Sequence, residues 1–229
     1  MKYFTFLSLL LISSIADSQT NDVVKKLELF RLHTSDFVQN LQTPDTTLFF
    51  NYTRTITTGD STYTEAGVYD PSRPSKERWE LLTINGQPAN KADKETFVKT
   101  NSTNPYQSPV MVNDTTLDTD VEGNYMIVLF RLRPETVPEH LSYLNDCNGK
   151  AYISIARGRL EKVVYSSTRE VNYYGIKASK LIMESSFEYI SAAKSFRVFM
   201  EQVDLTVNQG DSVKQTQDTR EYTGYRKIE

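Results

Sequence analysis

The fold is decided by the C-terminal third of the chain, residues 149–227: GKAYISIARGRLEKVVYSSTREVNYYGIKASKLIMESSFEYISAAKSFRVFMEQVDLTVNQGDSVKQTQDTREYTGYRK. Apolar residues recur there at every second position, which is the period of a β-strand. The pattern predicts five long strands, at about 149–156, 158–168, 178–191, 194–207 and 213–227. Most of the turns between them are too short for the crossovers that parallel strands need, so we expect an antiparallel meander. Long, twisted strands in a meander curl, which gives the sheet a concave face.

The chain before the meander alternates between helical and strand patterns. Apolar spacings of three, four and seven residues predict a helix over 21–41, with Asn21 as its cap. Strands are predicted at about 48–57, 62–69, 79–84 and 124–133, short helices at about 89–99 and 136–144, and a surface loop over 101–123. This order is typical of an α+β fold in which helices pack on one face of an antiparallel sheet.

The N-terminus has the features of a secretory signal peptide. Lys2 supplies a positive charge, and residues 4–15 form an apolar run that is too short to span a bilayer. Small residues before position 19 predict cleavage after Ser18. We therefore expect residues 1–18 to be a signal peptide, residues 19–229 to form one domain, and the mature protein to be periplasmic with no more than peripheral membrane contact.

Composition and motifs argue against several classes of function. The net charge is −3 and the sequence pI is about 5.6, whereas nucleic-acid binders carry a basic domain or stripe. The single cysteine, Cys147, excludes an internal disulfide and a multi-thiolate zinc site. The chain carries no P-loop, no G-x-G-x-x-G, no G-x-S-x-G and no H-E-x-x-H pattern. We expect no enzymatic activity, no cofactor and no metal, and we interpret the acidic run 114–122 as a solvated loop.

Several strands are apolar on both faces. An antiparallel sheet with one wet face alternates cleanly between apolar and polar residues, whereas 124–133 and parts of 149–193 do not. The second face must meet helices, a partner protein or an apolar ligand. About forty predicted helical residues are few to cover a large sheet on both sides.

A second stretch carries a resemblance to a known family. Residues 69–88, YDPSRPSKERWELLTINGQP, are similar to the D-P-x-R-P…R-W-x-L-L…(D/N)-G-x-P run of bacterial outer-membrane lipoprotein-sorting proteins of the LolA-like group. The ARGRL turn at 156–160, which precedes long strands, also resembles that group. The likeness covers about 45–90 and 149–227, and the segment 101–123 is not matched.

The resemblance implies both a fold and a function. It implies a curled antiparallel sheet that forms an unclosed β-barrel (LolA/LolB-like), with helices packed on or in its mouth. It further implies a carrier that holds an acyl chain, a lipid or a lipoprotein in an apolar cavity. The alternative is a non-catalytic module that senses or binds envelope proteins through the same sheet.

Two strands supply the expected lining of the cavity. For the strand 124–133 we expect one face to pack on the helix 21–41 and the other to line the concave side, and the same reasoning applies to the strand 178–190. A one-residue error in register would exchange the two faces. The residues chosen for the concave side are Met126, Val128, Phe130, Leu132, Leu181, Met183, Phe187 and Tyr189.

Overall fold

The computed structural model describes residues 22–41, 47–101, 110–191, 195–210 and 212–228. The predicted signal peptide 1–18 and the predicted cap Asn21 lie outside the described residues. Within these ranges, no helix is both long enough and apolar enough to cross a membrane.

One large antiparallel sheet dominates the described chain. Its strands are β1 Phe49–Thr58, β2 Ser61–Tyr69, β3 Trp79–Ile84, β4 Gln87–Pro88, β5 Asp118–Glu122, β6 Tyr125–Phe130, β7 Cys147–Ser154, β8 Arg159–Ser167, β11 Lys180–Ile190, β12 Ser195–Gln209 and β13 Ser212–Arg226. Two short strands, β9 Val171–Tyr173 and β10 Ile176–Ala178, form a separate hairpin. The order across the large sheet is β4-β3-β2-β1-β13-β12-β11-β8-β7-β6-β5, so β4 and β5 are its two edges and the sheet is not closed.

The meander predicted from 149–227 is confirmed, since β7, β8, β11, β12 and β13 are its five long strands. The predicted loop 101–123 is wrong in part, because Asp118–Glu122 pairs with β6 as an edge strand. Its carboxylates suit an edge, where charge opposes pairing with another chain. The hairpin β9–β10 was not predicted, because its strands of three residues each are too short to show a period.

The predicted helix 21–41 is divided into two pieces. Helix α1 covers 22–29, and a 3₁₀ segment covers Thr34–Leu41. Arg31 has a positive φ of 57°, a conformation that ends a helix because it breaks the backbone repeat. The amide of Leu32 then donates to the carbonyl of Leu27 across the break. We call residues 22–41 the N-terminal cover.

The remaining helical segments are short. Helix α2 covers Lys91–Asn101, and the side chain of Asn90 accepts a hydrogen bond from the amide of Asp93 at its start. The helix predicted at 136–144 is instead two 3₁₀ turns, Pro134–Thr136 and Glu139–Asp146. Pro138 comes between them and cannot donate the amide hydrogen bond that a continuous helix needs.

Two apolar clusters lie on the same face of the sheet, which we call the inner face. The main cluster joins the N-terminal cover to β6, β7, β8, β11 and β12. The aromatic cluster consists of Phe50, Tyr52, Tyr69, Trp79, Leu81 and Phe97, with Tyr222 and Tyr225 packed against it. Partners in register share a face, and Val203 of the main cluster pairs with Asp218, two residues from Arg220 and four from Tyr222. The inner face of β13 therefore runs from one cluster to the other.

Candidate functional site

The eight residues predicted to line a cavity lie on the inner face. Met126, Val128, Phe130 and Leu132 are buried in the main cluster, and so are Leu181 and Phe187. Met183 is partly buried against the same cluster, while Tyr189 is 49% exposed and packs its ring on Phe196 at 5.4 Å. The structure thus brings seven of the eight together and leaves Tyr189 at the margin.

The N-terminal cover packs directly on these residues. Phe37 is fully buried, with its ring centroid 5.3 Å from that of Phe130. The hydroxyl of Tyr165 donates to the carbonyl of Phe37 at 3.0 Å. The prediction that the helix and the cavity residues lie on opposite faces is wrong, because the structure places them on one face. The reason is that the apolar stripe of the cover requires the larger apolar face, and that face is the inner one.

The opposite face of β6 carries a small apolar patch of its own. Ile127 is buried there and pairs in register with Tyr152. The ring centroids of Tyr125 and Tyr152 lie 6.0 Å apart. The ammonium group of Lys162 lies 4.6 Å from the centre of the Tyr152 ring. The aromatic rings of Tyr125 and Tyr152 thus account for part of the two-sided apolarity of β6.

Between the two clusters the inner face carries five charged side chains, which we call the polar band: Arg54, Glu65, Glu201, Asp218 and Arg220. They lie on four neighbouring strands and face one another, because Arg54 pairs in register with Glu65 on one side and with Arg220 on the other. Arg220 in turn pairs with Glu201. Strand alternation therefore aims all five at the same side of the sheet.

Asp218 is the centre of the polar band. Its carboxylate accepts two hydrogen bonds from Arg54, Nε to Oδ1 at 2.9 Å and Nη2 to Oδ2 at 2.8 Å. Arg220 donates a third at 3.3 Å. Desolvation alone would raise the pKa of Asp218, but the hydrogen bond from Arg54 and the charge of Arg220 outweigh it and lower the pKa. The carboxyl is therefore ionised at neutral pH.

Arg220, the second arginine of the polar band, is surrounded by acidic side chains. Desolvation opposes the charged form of Arg220, yet Glu201, Tyr222 and Asp218 outweigh it and raise its pKa. The hydroxyl of Tyr222 donates to Glu201 at 2.6 Å. The Nε atom of Arg220 is buried and has no hydrogen-bond partner among the residues that the structure describes.

Tyrosines flank the polar band on both sides. Tyr52 belongs to the aromatic cluster, and Tyr173 on β9 packs against the main cluster. Burial raises the pKa of each to about 12, and the charges of Arg54 and Arg220 act on both phenols. Tyr173 also packs on Tyr143 at 5.0 Å, which ties the β9–β10 hairpin to the 3₁₀ turn at Glu139–Asp146. The polar band thus lies in a partly desolvated setting between aromatic rings.

Sequence reasoning did not identify the polar band. The available signal was alternation itself: in β1 the residues Phe50, Tyr52 and Arg54 share a face, so a charge follows two aromatic residues on the inward side. In β12 the charged Glu201 shares a face with the apolar Val203. Neither signal is visible when strand faces are assigned from apolar residues alone.

A separate groove of about 1160 Å³ lies where β1, β11, β12 and β13 end or begin. Most of the residues that line it are polar, among them Thr57, Lys180, Asp204 and Gln217. The amide group of Gln217 donates to the Asp204 carboxylate at 2.9 Å. None of the eight residues predicted for the cavity lines this groove.

The acidic run and the single cysteine have defined surroundings in the structure. Over the described ranges, no group of three or more His, Cys, Asp or Glu side chains is placed to hold a metal ion. Asp114, from the acidic run, pairs with Arg133 at 2.8 Å. Burial, and to a lesser degree Asp146, raises the pKa of the Cys147 thiol to about 12, so the reactive thiolate is disfavoured.

Comparisons with known proteins give little. No protein-family model matches the chain, and no curated protein matches it. A solved structure of a DUF1329 family protein from Desulfovibrio piger is similar at 10% sequence identity, with a TM-score of 0.35, over 85% of this chain and 91% of that one. A likeness this distant carries no argument about function, which has to be reasoned from the inner face itself.

Proposed function

We propose that this protein is a non-catalytic binding or carrier protein of the periplasm, which holds an acyl chain, a lipid or a lipoprotein on the inner face of a LolA-like half-barrel. The observation that supports this best is the contact between the N-terminal cover and the sheet. A short segment, made of one helix and one 3₁₀ segment, covers a large apolar surface that includes Val128, Phe130 and Tyr165.

An acyl chain can replace the apolar contact between the N-terminal cover and the sheet. Leu27, Phe37 and Val38 are buried by it, and apolar burial is non-directional. Each methylene removed from water contributes about 0.8 kcal/mol, so a long chain can compete with these side chains. The binding-competent state is the one in which the cover has moved, and the apparent affinity falls with the population of the closed state.

Phe37 and Phe130 provide a matched pair of variants. Shortening either ring removes the contact between them and destabilises the closed state, and Phe130→Leu also removes the contact of Phe130 with Tyr165. Phe37 belongs to the cover and Phe130 to the floor beneath it. We expect Phe37→Leu to bind a fluorescent fatty-acyl probe more tightly than the unmodified protein, and Phe130→Leu to bind it more weakly.

Titration of the probe by fluorescence measures both effects. The control is Lys150→Gln, since Lys150 is exposed on the outer face and its change should leave binding unaltered. Mass spectrometry of organic extracts from the native protein would identify a bound lipid. If the unmodified protein neither binds an acyl probe nor carries lipid, the carrier proposal fails and an envelope-protein interaction module takes its place.

The periplasmic location rests on the N-terminal sequence. Intact mass of the exported protein should correspond to a chain that begins at Gln19. A mature protein that retains Met1 would contradict the proposed cleavage.

A further inference from the structure

The groove at the ends of β1, β11, β12 and β13 lies on the outer face of the sheet, the side opposite the inner face. Asp204 pairs in register with Ile182 on β11 and with Gln217 on β13. Gln217 pairs in turn with Thr57 on β1, and all four residues line the groove. Partners in register share a face, and Asp204 follows Val203 of the inner face, so these side chains point to the other side. We call this the outer groove.

A second row of side chains lies two residues away along the same strands. Lys180 pairs with Thr206, and Thr206 pairs with Gln215; all three line the outer groove. Side chains on one face of a sheet repeat at roughly 7 Å along a strand and about 4.8 Å between strands. The outer groove therefore presents a grid of hydroxyl, amide and charged groups, which suits a polymer that offers polar groups on every unit.

The size and the lining of the outer groove argue against a small apolar ligand. Its volume is about 1160 Å³, whereas pockets for small molecules span about 300–1,000 Å³. Such pockets are mostly apolar and aromatic. Among the described residues that line the outer groove, only Ile182, Leu205 and Val213 have large apolar side chains, and none is aromatic. The groove thus has room for several units of a polar ligand.

Asp204 supplies a negatively charged acceptor in the outer groove. Its Oδ1 accepts a hydrogen bond from the amide of Gln217, and its Oδ2 accepts one from the amide of Gln202, both at 2.9 Å. Both donors are neutral, and no cation among the described residues pairs with Asp204. A carboxylate has about four acceptor sites, so two remain for a ligand. A ligand hydroxyl can donate there, whereas an anion would be repelled.

Lys180 supplies a positive charge nearby. It is exposed and forms no ion pair with any residue that the structure describes. Because Asp204 pairs with Ile182, Lys180 is the diagonal neighbour of Asp204, and diagonal neighbours lie about 7–8 Å apart. A ligand that meets both groups must therefore donate hydroxyls at one point and offer an anion a short distance away.

We propose that the outer groove binds an acidic oligosaccharide, whose ring hydroxyls donate to Asp204 and whose carboxylate accepts from Lys180. The side chains of Thr57, Thr206 and Gln215 bind further ring hydroxyls. Sugar acids carry both groups on every unit, whereas an acidic peptide lacks the hydroxyls and a neutral glycan lacks the carboxylate. This site does not depend on the proposed function, because it lies on the other face of the sheet.

The test compares tetragalacturonate, its methyl ester and tetra-L-glutamate by isothermal titration calorimetry. We expect tetragalacturonate to bind most tightly. The methyl ester keeps the hydroxyls and loses the charges, so it should bind about threefold to fivefold more weakly, which is the size of one exposed ion pair. Tetraglutamate has no hydroxyl to donate to Asp204 and should bind at least about tenfold more weakly. These ratios depend on no variant.

Two variants then assign the parts of the ligand to residues. Lys180→Gln should lower the affinity for tetragalacturonate to that for the methyl ester, and leave ester binding unchanged. Asp204→Asn keeps the shape of the side chain and removes its charge, so both affinities should fall by about tenfold, the order expected for hydrogen bonds to a charged acceptor. Lys94→Gln, at an exposed lysine of α2, is the matched control and should alter neither affinity. Phe130→Leu, on the inner face, should also alter neither.

Each contrary result overturns the inference. Tetraglutamate that binds as tightly as tetragalacturonate would show a plain anion site. Equal binding of acid and ester, unaltered in Lys180→Gln, would show that the carboxylate is not recognised. Sugar binding that persists unaltered in Asp204→Asn would place the sugar elsewhere on the molecule. If no probe binds, the outer groove is not a glycan site, and the carrier proposal for the inner face stands or falls on its own test.

Discussion

At the scale of single residues, Gly149 shows how the inner face is fitted together. Gly149 on β7 pairs in register with Phe130 on β6, and the Phe130 ring lies over the glycine. A Cβ atom at position 149 would overlap that ring. The absence of a side chain at 149 is therefore what lets Phe130 lie flat and reach both Phe37 and Tyr165.

Gly149→Ala should destabilise the fold. The added methyl group forces the Phe130 ring away from its neighbours, and overpacking of this kind costs about 1–3 kcal/mol. Urea unfolding measures the free energy of unfolding. Lys150→Ala, a change at the exposed neighbouring residue, should stay within about 0.5 kcal/mol of the unmodified protein. A Gly149→Ala protein as stable as that control would show that the ring does not depend on the glycine.

At the scale of elements, the N-terminal cover depends on the break after α1. Arg31 is exposed and holds a φ of 57°, which a residue with a Cβ adopts at a cost of about 1–2 kcal/mol. The break turns the chain so that both α1 and the 3₁₀ segment place apolar residues, Leu27 and Phe37, in the main cluster. The position is one that glycine would fill without strain.

Arg31→Gly should therefore stabilise the protein by about 0.5–1 kcal/mol, because it relieves the left-handed strain at a helix end. Glu28→Gly is the contrasting variant: it lies within α1, where glycine destabilises by about 1 kcal/mol relative to a good helix former. Thermal unfolding followed by circular dichroism compares the two. Destabilisation by both changes would mean that residue 31 is not left-handed in solution.

The elements also show what the sequence could predict. The strands of the meander were predictable because long runs repeat their apolar period, as in β11. Alternation also placed Phe130 and Leu181 on one side of their strands, and that side is the inner face in the structure. The break at Arg31, however, depends on packing against the sheet, because the apolar spacing continues through it. Pairing between distant strands, which creates the polar band from β1, β2, β12 and β13, has no local signal at all.

At the scale of the whole molecule, the sheet joins two clusters that share no apolar residue. β13 pairs with β1 on the side of the aromatic cluster and with β12 on the side of the main cluster. Between the two clusters, the Arg54–Asp218 ion pair joins β1 to β13 through two hydrogen bonds. Backbone hydrogen bonds continue from strand to strand across the whole sheet, and side-chain hydrogen bonds join the region between the clusters. We therefore expect the part of the sheet with the aromatic cluster and the part with the main cluster to unfold as one cooperative unit.

The chain carries a natural probe in each half. Trp79, the single tryptophan, lies in the aromatic cluster, and Cys147, the single cysteine, is buried in the main cluster. Burial raises the pKa of that thiol to about 12, so it should react with a thiol reagent only after unfolding. We expect Trp79 fluorescence and Cys147 labelling to give the same midpoint in a urea titration.

A change in one cluster should then move both probes together. Leu144 is buried in the main cluster, and Leu144→Ala should cost about 2–5 kcal/mol through the cavity it leaves. If the molecule is one unit, the Trp79 transition shifts to lower urea by the same amount as the Cys147 transition, although Trp79 lies in the other cluster. A shift confined to Cys147 would show that the aromatic cluster with β1, β2 and β3 unfolds independently. The polar band would then be a junction between two units rather than the centre of one.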